Sequence, residues 1–187
     1  MNLPNKLTLL RICLVPVFIV FFYLDFALAP IVAVSVFILA ALTDALDGYI
    51  ARKYNLVTDF GKLMDPIADK ILVVSALFLI VESNLLPIVV GATCSAIIVA
   101  RELLISGVRQ IAATKGIVIQ ANVYGKLKTI VQTVALPIVL LLKLGTNVLA
   151  GAYQIIFIVA LVMFSLATLL TIISGIVYLI QNRKVFL

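Results

Sequence analysis

Five of the eight acidic residues of this 187-residue chain fall within one short window: Asp44, Asp47, Asp59, Asp65 and Asp69. Asp44 and Asp47 stand three residues apart, Asp65 and Asp69 four apart, so on helices each pair shares a face. If two such helix ends meet across a short loop, four carboxylates converge. They would repel one another, and an ionised Asp in a bilayer-embedded helix costs ~2.5–3.5 kcal/mol by itself. Either their pKa values rise or divalent cations neutralise them. A purely oxygen donor set suits hard ions, Mg²⁺ or Mn²⁺ before zinc, and two ions could be held.

The chain contains no His. That excludes an imidazole base, a Ser/His/Asp triad and a His-ligated zinc or haem centre, leaving carboxylates for acid/base and metal chemistry. Gly48 and Gly61 flank the acidic window and would let a bulky ligand approach the backbone. Arg52 adds a cation able to grip phosphate bidentately. Asp59, in the loop just before Gly61, reads as a solvated acid that N-caps the following helix.

The elements that must position these residues belong to a membrane bundle. Hydrophobic residues make up 65% of the chain and charged residues 12%, too few polar groups to cover a water-facing surface. Mean hydropathy is +1.30. At ~20 apolar residues per crossing, the length allows about six transmembrane helices in a single domain spanning 1–187. The apolar runs place them at 7–25, 31–52, 62–82, 87–113, 122–143 and 152–181, with Pro16 and Pro137 inside helices 1 and 5. The absence of an internal repeat argues against a transporter built from duplicated halves. Cys13 and Cys94 lie in separate apolar stretches and read as packing residues.

Orientation follows from Lys and Arg. Of 14 basic residues, most fall near the N-terminus, the 2–3 loop, the 4–5 loop and the C-terminus, while the alternate loops hold Asp25, Glu82 and Lys143. The positive-inside rule then puts both termini and the acidic window on the cytoplasmic side of the cell membrane. The net charge of +6 reads as topology and anionic partners, not nucleic acid. At 1.5 Å per residue, Asp69 lies only ~12 Å along its helix from Gly61, beneath the cytoplasmic headgroups. A rival reading treats the first thirty residues as a cleaved signal peptide ending at Ala27-Leu28-Ala29. Its long apolar stretch, the Pro30 after the cut and the five helices it would leave all speak against it.

The string D-x-x-D-G-x-x-A-R-(x)8-G-x-x-x-D-x-x-x-D, present as Asp44, Asp47, Gly48, Ala51, Arg52, Gly61, Asp65 and Asp69, resembles the signature of the CDP-alcohol phosphotransferases. Six helices and a cytoplasmic site fit that family over the whole chain. The resemblance implies a two-metal enzyme that transfers the phosphatidyl group of a CDP-linked lipid to an alcohol and releases CMP. It implies metal ligation by Asp44, Asp47, Asp65 and Asp69, with Asp69 also taking the acceptor hydroxyl proton. It further implies a CDP-lipid pocket formed by Gly48, Ala51, Arg52 and Gly61, joined by Thr8, and a homodimer.

The acceptor is decided outside the signature. Arg101 and Glu102 interrupt an apolar helix, Arg109 follows two turns later, and Lys126, Lys128 and Thr129 open helix 5. Arg11 in helix 1 could join them. Lys53, Lys115, Arg183 and Lys184 are explained by topology and contact with anionic lipids. Arg101 is not, because a cation in an apolar helix usually faces a partner or a polar cavity. The set suits a phosphorylated acceptor. The stretches Asn2–Arg11 and Tyr124–Thr129 also resemble family members that use CDP-diacylglycerol and sn-glycerol 3-phosphate. Phosphatidylglycerol, inositol phosphate or serine are the alternative acceptors, and a small metal-cation transporter is the rival from another class.

Overall fold

The structure is a computed structural model, and it describes residues 2–54, 59–115 and 123–182. The described residues are helical, without strands: α1 Leu3–Tyr23, α2 Ala29–Lys53, α3 Asp59–Glu82, α4 Ile88–Thr114, α5 Val123–Leu141, the five-residue α6 Gly145–Leu149 and α7 Tyr153–Gln181. Single turns of 3-10 helix, Leu142–Leu144 and Ala150–Ala152, flank α6. Long Leu, Ile, Val and Ala runs leave the backbone no solvent partner, and a helix satisfies every amide within its own segment.

The six long helices match the expected runs to within a few residues at each end. Differences fall where polar residues meet the apolar run. α1 begins at Leu3 because its hydrogen bonding starts a turn before the apolar stretch, with Lys6 N–H donating to the Asn2 carbonyl at 3.2 Å. Asp59 lies within helix α3 and not in a loop, which corrects the expectation. α5 stops at Leu141, earlier than expected, because the chain tightens into the 3-10 turn and then passes through Gly145 at φ +66°. Pro16 and Pro137 do lie inside α1 and α5.

Among the described residues, four helices are long and apolar enough to cross a membrane: Asn5–Tyr23, Ile88–Ala112, Val123–Leu144 and Ala150–Gln181. The sequence of α2 carries Asp44 and Asp47 in its second half, and that of α3 carries Asp59, Lys62, Asp65, Asp69 and Lys70 in its first. The chain therefore reads as a multi-pass membrane protein whose second and third helices give up part of their apolar length to charge. Large apolar side chains stay uncovered around the bundle, such as Val89 at 73% exposure and Phe78 at 71%. Such a surface is stable only against hydrocarbon.

α1 packs chiefly on α2, and α5 on α7, with α3 and α4 closing the bundle. The core is continuous: Phe18 and Phe22 of α1, Phe37 of α2, Leu77 and Ile80 of α3, Ile98 of α4, Leu136 and Leu140 of α5 and Phe164 of α7. Phe18 sits at its centre, its ring 5.6 Å from Phe37 and 6.4 Å from Phe22. At one pole Tyr23 donates to Glu82 at 3.1 Å, and the Lys143 ammonium stands 5.2 Å from the Phe22 ring centroid. The ends of α1, α3 and α5 thus meet, as an up-and-down order requires.

Phe18→Ala should destabilise the protein by about 1–3 kcal/mol. That is below the 3–5 kcal/mol typical of water-soluble cores, because the helices are already out of water before they pack. Thermal unfolding in detergent should show a midpoint lower by several degrees, whereas Phe78→Ala, on the outer surface, should leave the midpoint nearly unchanged.

Candidate functional site

The site is built at the pole opposite the Tyr23–Glu82 contact, from the charged end of α2 and the charged start of α3. Asp44 and Asp47 fall near the end of α2, and Asp65 and Asp69 lie within the first half of α3. Asp44 is held from α1: the fully buried Arg11 donates through a terminal guanidinium nitrogen to its carboxylate at 2.6 Å. The Asp44 side chain keeps 46% of its surface open, so one face is fixed and the other is free for a ligand. Asp69 is exposed and lies within electrostatic reach of Asp44, Arg11, Lys70 and Glu102. The two acidic helix ends therefore act on one another.

Asp69 and Lys70 form one wall of a narrow cavity of about 50 Å³ between α3, α4 and α5. Glu102 of α4 stands on a second wall, and Lys128, Thr129, Gln132 and Thr133 of α5 on a third. Lys128 is buried and donates to the Glu102 carboxylate, which Arg101 also approaches at 3.5 Å. Thr129 donates to the Gly125 carbonyl at 3.0 Å, and Lys126 is exposed at the opening turn of α5. Gln132 is buried, and its side-chain oxygen has no hydrogen-bond partner among the described residues.

A second, apolar groove runs between α2 and α5. Phe37, Ile38, Ala41 and Leu42 line one side, Ile130, Val134, Pro137 and Ile138 the other, and Asp44 stands at its charged end. Thr129 and Thr133 border both this groove and the polar cavity, so the two spaces adjoin across α5.

The basic residues expected to form one cluster are divided. Arg101 donates to Ser174 of α7 at 3.1 Å, and its stem lies so close to the α7 backbone that a Cβ at Gly175 would stand 3.2 Å from Arg101 Cγ. Arg109 donates to the Tyr178 hydroxyl at 3.3 Å, with its guanidinium 5.6 Å from that ring's centroid. Lys128 and Arg101 meet through Glu102, and Arg11 pairs with the acidic pole. Thr8 and Gly61 are buried. The side chains of Asp47, Gly48, Ala51, Arg52, Asp59 and Asp65 lie outside the described residues.

Among the described residues no group of three carboxylate, Cys or His ligands comes together. Of the four expected metal ligands, Asp44 and Asp69 have described side chains, and both offer carboxylate oxygens alone, a donor chemistry that fits a hard divalent cation. Sequence reasoning missed four partners: Glu102 as the shared counter-ion, Ser174 and Tyr178 as the α7 supports, and Gln132. Their signal was present. Gln132 lies four residues after Lys128, and Ser174 lies four before Tyr178, so each pair presents polar groups on one face of an otherwise apolar helix.

Residues 1–181 match the family model for CDP-alcohol phosphatidyltransferase. A relative from Rickettsia bellii is 40% identical over 99% of this chain and 97% of its own length. One from Bacillus subtilis is 37% identical over 97% and 95%, and one from Salmonella paratyphi A is 42% identical over 72% and 74%. All three bear the name CDP-diacylglycerol–glycerol-3-phosphate 3-phosphatidyltransferase. The chain belongs to the CDP-alcohol phosphatidyltransferase family.

Removing one member of the Glu102–Lys128 pair strands a buried charge. Glu102→Gln and Lys128→Met should each lower the thermal midpoint in detergent, and the double variant should recover part of the loss. A double-mutant cycle should yield a coupling of about 1–3 kcal/mol; strict additivity would show that the pair does not act as a unit.

Proposed function

We propose that the protein transfers the phosphatidyl group of CDP-diacylglycerol to sn-glycerol 3-phosphate, giving phosphatidylglycerophosphate and CMP, at the cytoplasmic face of the cell membrane. The observation that carries this reading is the adjoining pair of spaces: a polar cavity bearing Asp69 and Lys128, and an apolar groove that begins at Asp44. Such a site suits one substrate with a charged head and apolar tails beside another that is small and anionic. The names of the relatives point the same way. The whole chain is one domain, with six membrane crossings and both termini in the cytoplasm, in keeping with the alternation of its helix ends and the distribution of Lys and Arg.

The acyl chains of the lipid would enter the α2–α5 groove, which sets the pyrophosphate against the acidic ends of α2 and α3. Gly48, Ala51, Arg52, Gly61 and Thr8 would receive the cytidine diphosphate head. Asp44, Asp47, Asp65 and Asp69 would hold two divalent cations, Mg²⁺ or Mn²⁺, which when bound neutralise the pyrophosphate and the CMP leaving group. Arg11 holds Asp44 in place, so it serves the acidic cluster and not the acceptor.

On the other side of the reacting centre, Lys128 and Thr129, which line the cavity, would receive the phosphate of the acceptor together with Lys126 at the opening turn of α5, while Arg101 and Arg109, engaged with Ser174 and Tyr178 of α7, would contribute positive field. The acceptor's hydroxyl oxygen attacks the lipid phosphorus, the bond from that phosphorus to the CMP oxygen breaks, and the hydroxyl proton passes to the Asp69 carboxylate. In-line positioning and charge neutralisation supply most of the acceleration in such transfers.

Purified protein supplied with CDP-diacylglycerol and Mg²⁺ should release CMP when sn-glycerol 3-phosphate is added. Serine, inositol phosphate and phosphatidylglycerol should be poor substitutes, and release driven by one of these alone would overturn the acceptor. EDTA should stop the reaction and added Mg²⁺ or Mn²⁺ restore it. Asp69→Asn should lower turnover by roughly 10²- to 10⁴-fold yet retain CDP-lipid binding. Lys126→Ala should raise the KM for the acceptor more than that for the lipid; the reverse pattern would misassign the basic residues.

A further inference from the structure

We infer that Lys70 binds the phosphate of the acceptor, so that two successive residues of α3 hold its two ends: Asp69 the reacting hydroxyl and Lys70 the phosphate. The inference rests on the reaction proposed above and adds to it a residue outside the acidic signature. Asp69 and Lys70 stand on one wall of the α3–α4–α5 cavity, and the charge of Lys70 acts on both Asp69 and Glu102. Lys70 is half-buried, whereas Asp69, Thr129 and Thr133 are exposed. The cavity is narrow and opens at these exposed residues, so an acceptor is met first at this edge.

The other cations are placed differently. Lys128 is 3% exposed and gives its ammonium to Glu102. Arg101 and Arg109 donate to Ser174 and Tyr178 of α7. Lys126 is exposed at the opening turn of α5 and is not among the residues that line the cavity. Of the two lysines that line it, Lys70 is therefore the more accessible, and it lies next to the proposed base. Val73, Val74 and Leu77, at helical spacing after Lys70, line the same cavity with apolar surface. A lysine stem lies along such a surface and carries its ammonium to the polar edge. Successive side chains of a helix diverge by about 100°, so the Asp69 carboxylate and the Lys70 ammonium can grip opposite ends of one short molecule. In sn-glycerol 3-phosphate three carbons separate the attacking oxygen from the phosphate. An alcohol without the phosphate leaves Lys70 unmatched.

The test separates phosphate binding from chemistry with propyl phosphate, which keeps the phosphate and lacks a hydroxyl, as an inhibitor of CMP release from CDP-diacylglycerol and sn-glycerol 3-phosphate. In the unaltered enzyme it should compete with sn-glycerol 3-phosphate. Lys70→Met keeps the stem and removes the charge. It should raise the KM for sn-glycerol 3-phosphate and the Ki for propyl phosphate together, by roughly 10- to 100-fold for one lost charge-assisted hydrogen bond, with the KM for CDP-diacylglycerol little changed. Lys70→Arg should restore most of both constants. Lys143→Met, which removes the same charge beside Phe22 at the opposite pole, should change neither. Lys70→Gln supplies the same comparison should Lys70→Met not accumulate.

Failure of propyl phosphate to compete with the acceptor would overturn the inference, and that measurement needs no variant to fold. An unchanged Ki in Lys70→Met would overturn it as well. A rise confined to the KM for the lipid would make Lys70 a lipid ligand, and a fall in kcat with both acceptor constants unchanged would make it a counter-ion; either outcome overturns the inference. No CMP release by the unaltered enzyme would overturn the proposed reaction itself, whereas release with Lys70→Met constants like those of the unaltered enzyme would overturn the role of Lys70 alone.

Discussion

A charge held between apolar helices must be met by another charge or by a polar group, because the surroundings supply no water to meet it. This constraint organises the charged pole of the bundle. Arg11 is fully buried and pairs with Asp44, which ties α1 to α2 at the depth of the acidic window. Glu102 takes both Lys128 and Arg101, which ties α4 to α5. Ser174 and Tyr178 take the outer sides of Arg101 and Arg109, which ties α4 to α7. Apolar packing alone would let these helices slide or rotate, since lipid tails compete with every Leu and Phe contact. The polar pairs specify one register, and that register opens a cavity beside Asp69.

These pairings also explain why the expected basic cluster is divided. Four cations crowded together without an anion would repel as strongly as four carboxylates do. Glu102 answers this by standing between Arg101 and Lys128, while the Tyr178 ring and hydroxyl take Arg109. An anionic acceptor entering the cavity would find Lys128 already engaged, so binding exchanges one counter-ion for another and does not fill an uncompensated positive hole. Exchange keeps the empty site stable without making product release prohibitive.

Much of this was legible in the sequence, and the remainder was not for a definable reason. Six apolar runs located the six long helices, because period and length are local properties. Asp44 with Asp47 and Asp65 with Asp69 could be placed on helix faces by spacing alone. Helix ends were displaced by a turn where polar residues continue a helix, as at Leu3, or where a tight turn shortens it, as at Leu141. The pairing of Arg11 with Asp44 and of Lys128 with Glu102 joins residues 33 and 26 positions apart. Spacing within one helix cannot reveal such pairs; they depend on which helices become neighbours and in what rotation.

The position of Thr129 and Thr133 shows how a single helix can serve both proposed substrates. Each borders the polar cavity toward α3 and α4 and also the apolar groove toward α2. Lys128 and Gln132, each one residue earlier, are turned by about 100° into the buried face. Ile130, Val134 and Ile138, at helical spacing, carry the groove side onward among the apolar residues. Successive residues of α5 therefore sort the contents of the site: charge and amide on one face, threonine at the border, aliphatic surface on the other. A lipid headgroup and a water-soluble alcohol differ in solubility by many orders of magnitude, yet they must meet within one bond length. A helix that changes character around its circumference brings a polar and an apolar compartment into contact without mixing their solvents.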